Sequence, residues 1–255
     1  MEHTTEQELR LAVLIDADNA PRTALREIMA EVAVYGTPTI KRIYGDWTSP
    51  SMGSWKPLLL EHAITPFQQY SYTTGKNATD SAMIIDAMDV LYSGHCDGFV
   101  LVSSDSDFTR LATRLREAGM KVYGMGEKKT PKPFIVACDK FVYIESLKAG
   151  ESLSAAETPA PAEKPRKKSA SAPAPKEQDI GELIAQSVED LADEDGYAYL
   201  GDLGTLLLKK QPDFDPRNYG FSKLSRFIAS LGRFEIDERR NANYSGTQVF
   251  LRNKK

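Results

Sequence analysis

The chain has little cysteine or histidine, no long apolar segment and no strong net charge. Its two cysteines, Cys96 and Cys138, stand 42 positions apart, and neither has a second cysteine or histidine at a zinc-like spacing. A disulfide framework and a structural zinc site are therefore both excluded. The longest apolar runs have the length of strands, not the roughly 20 residues of a membrane-spanning helix. The N-terminus is polar and does not resemble a signal peptide, so we expect a cytoplasmic protein that does not contact membranes.

The net charge of −4 conceals an uneven distribution of charge along the chain. Residues 1–150 carry 16 Lys and Arg against 19 Asp and Glu. Residues 209–255 carry 11 basic and five acidic side chains. Because the local potential selects a partner more than the total charge does, this last segment favours an anionic partner.

A segment rich in proline, alanine and serine divides the chain. Residues 151–178 contain five Pro, seven Ala and four Ser, and they contain no aromatic residue. Such a segment buries too little apolar surface to offset the entropy lost on ordering, which predicts a flexible linker. Since domains commonly have about 100–200 residues, the sequence predicts two folded domains, over residues 1–150 and 179–255.

In the first domain the apolar periodicity alternates between that of a strand and that of a helix. Residues 11–16 form a short continuous apolar run, which is typical of a strand buried on both faces. Leu25, Ile28 and Val32 then fall on one side of a helix. The alternation predicts an α/β fold with a doubly wound, mainly parallel sheet. The further strands are predicted at 39–44, 64–70, 98–103, 121–125 and 141–144, and the further helices at about 53–63, 77–92, 107–118 and 131–137.

Aspartate residues follow two of these predicted strands. Asp16 ends the first strand, and Asp105 and Asp107 come directly after the fourth. Asp80 lies in the first turns of the next helix upstream of the fourth strand. In doubly wound sheets, ligands bind beyond the carboxyl ends of the strands. If the first and fourth strands are neighbours, these four carboxylates meet in one crevice.

Four carboxylates in one crevice need a cation or raised pKa values, because like charges at 4 Å repel by about 1 kcal/mol even in water. Carboxylate oxygens without His or Cys suit Mg²⁺ or Mn²⁺. A divalent ion beside an open cleft lowers the pKa of an attacking water and stabilises charge on phosphorus, as phosphoryl chemistry requires. The alternative interpretation is that Asp105 or Asp107 only caps the helix that begins near Phe108.

Basic residues near this crevice are candidates for holding substrate phosphates. Lys76, Arg110 and Arg114 are placed there by the sequence, although each is equally well explained as a solvated surface charge. Lys76 follows Gly75, but the spacing and the missing hydroxyl residue exclude a P-loop.

Three short segments of the first domain combine these residues: LIDADN at 14–19, KNATD at 76–80 and VSSDSDF at 102–108. In this order and at these separations they resemble the NYN domain family of PIN-like, metal-dependent ribonucleases. The resemblance covers residues 10–147 and implies a PIN-like fold and an RNA substrate. The residues that it implies for catalysis and metal binding are Asp16, Asp80, Asp105 and Asp107, with Asn19 and Ser103 as supporting polar residues.

The second domain has the pattern of a small winged helix-turn-helix. Helices are predicted at about 180–191, 200–210 and 222–231, and two strands at 234–237 and 247–251 surround a turn at 241–246.

Residues 180–253 look like the LOTUS (OST-HTH) domain, with PRNYGFSKL at 216–224 as the most specific stretch. The resemblance implies RNA binding, and the basic side chains supply electrostatic attraction to phosphate. The alternative is that these charges only solvate a domain that binds a protein partner. The candidate RNA-binding residues are Arg217, Lys223, Arg226, Arg239 and Arg240, together with Lys76 and Arg110 of the first domain.

Together these features predict a Mg²⁺- or Mn²⁺-dependent endoribonuclease tethered to an RNA-binding domain. Two rival interpretations remain open. A haloacid-dehalogenase-like phosphatase would use Asp16 as its nucleophile, although position 20 is Ala where that motif has a hydroxyl residue. A non-catalytic RNA-binding scaffold would carry the acidic crevice as a vestige.

Overall fold

The computed structural model describes residues 8–70, 78–148, 177–240 and 247–254. The chain divides into two compact units, Met1–Lys148 and Ala149–Lys255. The predicted linker at 151–178 lies outside the described residues except for its last two positions. A helix that begins at Glu177 covers these two positions. Polar composition does not separate a linker from the first turn of a helix, where polar residues are common.

The first unit is built on a six-stranded sheet in which all neighbouring strands are parallel, in the order β3-β2-β1-β4-β5-β6. The direction of winding reverses between β1 and β4, which confirms the predicted doubly wound α/β fold. The strands are β1 (Arg10–Asp16), β2 (Thr37–Gly45), β3 (Thr65–Gln68), β4 (Gly98–Val102), β5 (Lys121–Gly126) and β6 (Lys140–Tyr143).

Helices cover both faces of this sheet. Because side chains alternate along a strand, β1 contributes to two cores. Val13 packs in one core with α1 and α2, and Leu14 packs in the other with α3, α4 and α5. The helices are α1 (Leu25–Tyr35), α2 (Lys56–His62), α3 (Ala78–Ser93), α4 (Thr109–Glu117) and α5 (Lys132–Ala137), and 3₁₀ turns at Arg22–Ala24, Pro50–Trp55 and Ser106–Phe108 precede α1, α2 and α4.

The strand predicted at 64–70 is shorter than its apolar pattern indicates. The structure has β3 over Thr65–Gln68 only, paired with the last four residues of β2. As an edge strand, β3 has a single neighbour, so its ladder ends where β2 ends at Gly45. Among the described helices, none combines the length and the apolar character needed to cross a lipid bilayer.

The second unit is a winged helix, as predicted. Three helices pack against a three-stranded antiparallel sheet in the order β7-β9-β8, around a core that includes Ile184, Leu207 and Phe227. The two-residue strand β7 was not predicted, because it is too short to show an alternating pattern. The predicted turn at 241–246 lies outside the described residues. The elements are α6 (Glu177–Leu191), β7 (Ala198–Tyr199), α7 (Leu200–Lys210), α8 (Leu224–Ser230), β8 (Phe234–Arg240) and β9 (Thr247–Asn253).

Candidate active site

The carboxyl ends of β1 and β4 lie side by side. Ile15 pairs with Val102 in the parallel register, so Asp16, the last residue of β1, is level with Ser103 directly after β4. This is the position at which the winding of the sheet reverses, where doubly wound sheets bind their ligands. The adjacency of the two strands, on which the predicted crevice depended, is thus present in the structure.

Asp16 is fully buried, and hydrogen bonds fix the orientation of its carboxylate. Its Oδ2 accepts hydrogen bonds from Ser103 Oγ and from Asn19 Nδ2, each at 2.8 Å. Its Oδ1 accepts from the backbone N–H groups of Asp18 at 3.0 Å and Asn19 at 3.3 Å. Burial raises the pKa of Asp16, and the hydrogen bonds from Asn19 and Ser103 oppose that rise. Asn19 and Ser103 therefore act on this carboxylate directly.

Asp80 lies in the first turn of α3, and its pKa reports the electrostatic environment of the crevice. Its side chain is buried, with 8% of the residue exposed. Burial raises the pKa of Asp80 to about 6, and the negative charges of nearby carboxylates add to the rise. The structure therefore places the other three predicted aspartates, and a further one, within electrostatic reach of Asp80. The contributing carboxylates belong to Asp16, Asp105, Asp107 and Asp18.

Asp18 was not among the predicted site residues. Thr79 Oγ1 donates a hydrogen bond to Asp18 Oδ2 at 3.0 Å, which ties the first turn of α3 to the loop after β1. Further along α3, Asp86 accepts hydrogen bonds from Arg42 and Tyr44 of β2. These contacts hold the helix that carries Asp80 in place. The Asp-Ala-Asp spacing at the end of β1 was the only signal of Asp18 in the sequence.

The two aspartates after β4 differ in their environments. Asp105 Oδ1 accepts a hydrogen bond from the Asp107 N–H at 2.9 Å, so Asp105 caps the 3₁₀ turn Ser106–Phe108 that leads into α4. The Asp105 N–H in turn donates to Ser103 Oγ at 3.1 Å. Asp107 is exposed at the surface. The capping alternative thus holds for Asp105, which also contributes its charge to the crevice.

The donor chemistry of this crevice fits a hard divalent cation, although the side chains do not form a closed cage. Within the described ranges, no group of three or more His, Cys, Asp or Glu is arranged to hold a metal ion as it stands. The groups present are carboxylates, which suit Mg²⁺ or Mn²⁺. Burial is the main cause of the raised pKa of Asp80, and the neighbouring carboxylates add a repulsion that a cation would relieve. The residues that would hold such an ion are Asp16, Asp80, Asp105 and Asp107.

The predicted phosphate-binding residues of the first unit lie on α4 or outside the described residues. Arg110 is exposed in the first turn of α4. Arg114 is exposed one turn later, and its Nη2 donates to the Tyr92 hydroxyl oxygen at 3.1 Å. Lys76 falls outside the described residues.

Carboxylates pair with Arg217 and Arg239, two of the basic residues predicted for the second unit. Arg217 makes hydrogen bonds to Asp215 through its backbone N–H and its guanidinium. Arg239 pairs with Asp237 at 2.8 Å and lies over the rings of Tyr197 and Phe250. The other three occupy different elements. Lys223 directly precedes α8 and Arg226 lies on it, both exposed, while Arg240 ends β8 and its side chain lies outside the description.

The fold and the crevice define a PIN-like, nuclease-type α/β domain, and a winged helix follows it in the chain. Comparison with known protein families identifies the family of each domain. The NYN domain family matches residues 10–145, more than half of the chain, so the protein belongs to the NYN family. The OST-HTH/LOTUS domain matches residues 173–245. Both predicted resemblances are confirmed, and the second domain implies RNA binding.

Solved structures resemble parts of the chain. A protein of unknown function from Vibrio parahaemolyticus is 19% identical, with 56% of this chain and 96% of that chain covered and a TM-score of 0.48. An uncharacterised protein from Nitrosomonas europaea is 30% identical, with coverages of 39% and 89% and a TM-score of 0.29. A Chromobacterium violaceum protein is 31% identical, with coverages of 29% and 78% and a TM-score of 0.25. The comparison with curated proteins finds no match.

Proposed function

We propose that the protein is a Mg²⁺- or Mn²⁺-dependent endoribonuclease whose second domain binds the RNA. The observation that supports this most strongly is the placement of carboxylates near the buried Asp80 at the ligand-binding edge of the sheet, where burial first and these charges second raise its pKa to about 6. Membership of the NYN family and the OST-HTH domain agree with a nuclease-type protein that acts on RNA.

In this mechanism the protein's own residues shape the crevice. Asn19 and Ser103 keep the Asp16 carboxylate in a single orientation through hydrogen bonds to Oδ2. The Thr79–Asp18 hydrogen bond sets the position of the helix that carries Asp80. A divalent ion held by Asp16, Asp80, Asp105 and Asp107 would lower the pKa of an attacking water and would offset negative charge on phosphorus.

The second domain would contribute affinity and leave the chemistry to the first. A flexible tether between two binding units raises the effective concentration of the RNA at the crevice, to about the millimolar range for short linkers. Weak contacts between the first unit and RNA then suffice for cleavage.

The test uses the full chain and a labelled single-stranded RNA with Mg²⁺, Mn²⁺ or a chelator. We expect cleavage with an ion and none with the chelator. Asp16→Asn should lower kcat/KM by about a hundredfold or more, since even residues that only orient metal ligands cost about 10–100-fold. The matched control is Asp89→Asn, because Asp89 is exposed on α3 nine positions after Asp80, on the opposite side of the helix. Cleavage that persists in chelator, or in Asp16→Asn, would refute the proposal.

One observation favours a second candidate, the non-catalytic RNA-binding scaffold. In the part of the chain that the structure describes, no closed metal-binding group is present. A scaffold predicts that the double variant Asp105→Asn, Asp107→Asn binds RNA as tightly as the wild type and that neither protein cuts RNA with any divalent ion.

The phosphatase alternative has less support from the geometry. Asp16 is fully buried, and both of its carboxylate oxygens accept hydrogen bonds. A nucleophile has to reach the phosphorus of its substrate, so this environment favours a structural or metal-binding role for Asp16. Hydrolysis of a simple phosphomonoester that Asp16→Asn abolishes would reverse this conclusion.

A further inference from the structure

Tyr44, the second-last residue of β2, contacts both segments of chain that carry the acidic residues of the crevice. In the parallel register it pairs with Asp16 of β1, and its carbonyl oxygen accepts a hydrogen bond from the Ala17 N–H at 3.0 Å. Ala17 lies between Asp16 and Asp18, so the backbone of Tyr44 holds the loop after β1. The Tyr44 hydroxyl donates a hydrogen bond to Asp86 Oδ2 of α3. One residue of β2 therefore joins this loop to α3.

The surroundings of the Tyr44 side chain make its hydroxyl a hydrogen-bond donor with a fixed direction. The side chain is fully buried, and its ring packs against Phe67 of β3 with the ring centroids 5.4 Å apart. Burial raises the pKa of Tyr44 and the Asp86 carboxylate raises it further, so the hydroxyl keeps its proton at neutral pH. The other oxygen of Asp86 accepts a hydrogen bond from Arg42 of β2, which keeps the carboxylate turned toward this strand.

Two hydrogen bonds attach α3 beside the crevice. Near the start of the helix, Thr79 donates to Asp18 of the loop after β1. Further along, Asp86 accepts from Tyr44. Seven positions of a helix span about 10 Å and nearly two full turns, so both attachments lie on the same side of α3. Attachments at two heights fix the rotation of the helix as well as its position, and with them the direction of the Asp80 side chain.

We infer that Tyr44 is a positioning residue of the acidic crevice: its hydroxyl sets the separation of the Asp80 and Asp16 carboxylates, and so the affinity of the crevice for a divalent ion. This inference rests on the proposed function and deepens it, because it names a residue outside the crevice on which ion binding depends. Since Asp16 and Asp80 belong to different segments of the chain, only contacts between these segments hold them at a fixed separation. Partners that orient metal ligands contribute about 10–100-fold to metal affinity.

The test compares Tyr44→Phe with the wild type in the full chain. This substitution removes one oxygen atom, leaves the packing of the ring and changes no net charge, so an altered ion affinity does not arise from lost charge. Mn²⁺ affinity is measured by titration calorimetry without RNA, and the binding that Asp16→Asn abolishes defines the crevice site. We expect the dissociation constant for Mn²⁺ at this site to rise about tenfold in Tyr44→Phe.

The matched control is Tyr35→Phe, which removes the same kind of hydrogen bond away from the crevice. The Tyr35 hydroxyl donates to Glu31, one turn earlier in α1. Tyr35 ends α1 and lies two positions before β2 begins, at the amino end of the strands. Each variant loses one hydrogen bond between a tyrosine and a carboxylate and keeps its ring. We expect Tyr35→Phe to bind Mn²⁺ as tightly as the wild type.

Hydrogen exchange gives a second readout, which needs no ion. In Tyr44→Phe we expect the amides of residues 82–87, in the first half of α3, to exchange about fivefold faster, since one net hydrogen bond contributes about this factor to local stability. In Tyr35→Phe the exchange of these amides should not change. The amides of β1 and β4 should remain protected in both variants, which checks that the sheet is folded.

Three results count against the inference. An unchanged Mn²⁺ affinity in Tyr44→Phe would show that the hydroxyl does not position the carboxylates. An equal loss of affinity in Tyr35→Phe would reduce the effect to a general loss of stability. Unchanged exchange over residues 82–87 in Tyr44→Phe would show that α3 does not depend on this attachment.

Failure of this inference is distinguishable from failure of the proposed nuclease function. If RNA is cut with Mn²⁺ while Tyr44→Phe binds the ion as tightly as the wild type, the nuclease proposal stands and the role of Tyr44 is wrong. If the wild type neither binds Mn²⁺ nor cuts RNA, and exchange in α3 rises only in Tyr44→Phe, the nuclease proposal fails. The link to ion affinity then fails with it, while the attachment of α3 by Tyr44 stands.

Discussion

The acidic crevice of the first unit and the ion pairs of the second unit differ in whether the fold compensates their charge. In the first unit, burial and neighbouring carboxylates raise the pKa of Asp80, and four exposed arginines lack carboxylate partners among the described residues. In the second unit, Arg217 is held by Asp215, and Lys210 lowers the pKa of Asp190. Charge that the fold leaves uncompensated indicates a ligand-binding site, while charge that is paired within the fold contributes to structure.

The largest effect is expected from removing a paired carboxylate of the second unit. Asp215 is 7% exposed, and it caps the 3₁₀ turn Pro216–Tyr219 while pairing with Arg217. Asp215→Ala removes the cap and the carboxylate that pairs with the half-buried Arg217, which should cost about 3 kcal/mol of stability.

Hydrogen exchange over residues 177–240 measures this loss. Both tryptophans, Trp47 and Trp55, lie in the first unit, so their fluorescence serves as an internal control that should not change. Unchanged exchange protection in the second unit would show that the Asp215–Arg217 pair is dispensable.

Removing a carboxylate from the crevice is expected to have the opposite effect and to raise the free energy of unfolding. Because folding raises the pKa of Asp80 to about 6, the folded state binds more protons than the unfolded state between roughly pH 4 and 6. Stability therefore falls as the pH rises through this range, and the loss persists above it. Allowing for solvent screening, Asp80→Asn should raise the free energy of unfolding by about 1–2 kcal/mol at pH 8.

Chemical denaturation at pH 3.5 and at pH 8, followed by tryptophan fluorescence, checks this sign. At the lower pH the carboxyl is largely protonated in both states, so the gain at pH 8 should shrink. Asp89→Asn is again the control. If Asp80→Asn destabilises the unit at pH 8, Asp80 is not under the repulsion inferred here. Mn²⁺ at pH 8 should stabilise the wild type more than it stabilises this variant.

A smaller effect is expected at the contact that positions α3. Thr79→Val removes the hydrogen bond to Asp18 and should cost about 1 kcal/mol of stability. It should also lower Mn²⁺ affinity by about tenfold, as the loss of an orienting partner does in metal sites. Thr79→Ser keeps the donor and should behave like the wild type. Calorimetric titration with Mn²⁺ compares the two variants, and equal affinities would remove the positioning role.

The smallest effect is expected at Arg239. Its guanidinium is engaged by Asp237 and by the rings of Tyr197 and Phe250. Arg239→Gln should therefore leave RNA affinity within about a factor of two, because its charge is already compensated. Lys223→Gln, at an exposed position directly before α8, should weaken binding more. A loss of affinity in Arg239→Gln larger than in Lys223→Gln would show that pairing within the fold does not keep Arg239 from binding RNA.

Local sequence patterns predicted the strands at whose ends the site residues lie. The continuous apolar run of β1 predicted a strand buried on both faces, and all its residues from Leu11 to Asp16 are buried. The Ser-Asp-Ser-Asp motif after β4 was placed at the end of its strand correctly. The two-residue β7 and the length of the edge strand β3 were missed, because each depends on pairing partners and has little periodicity of its own.

The sequence by itself determined the alternation of strands and helices and the location of aspartates at strand ends, because periodicity and turn preference are properties of short stretches of chain. Only the tertiary structure decided which charges meet. The hydrogen bond from Ser103 to Asp16 joins residues 87 positions apart, and it exists because β4 lies beside β1 in the sheet. The same holds for the arginines: whether a carboxylate stands opposite a guanidinium depends on how distant segments pack, which no local pattern records.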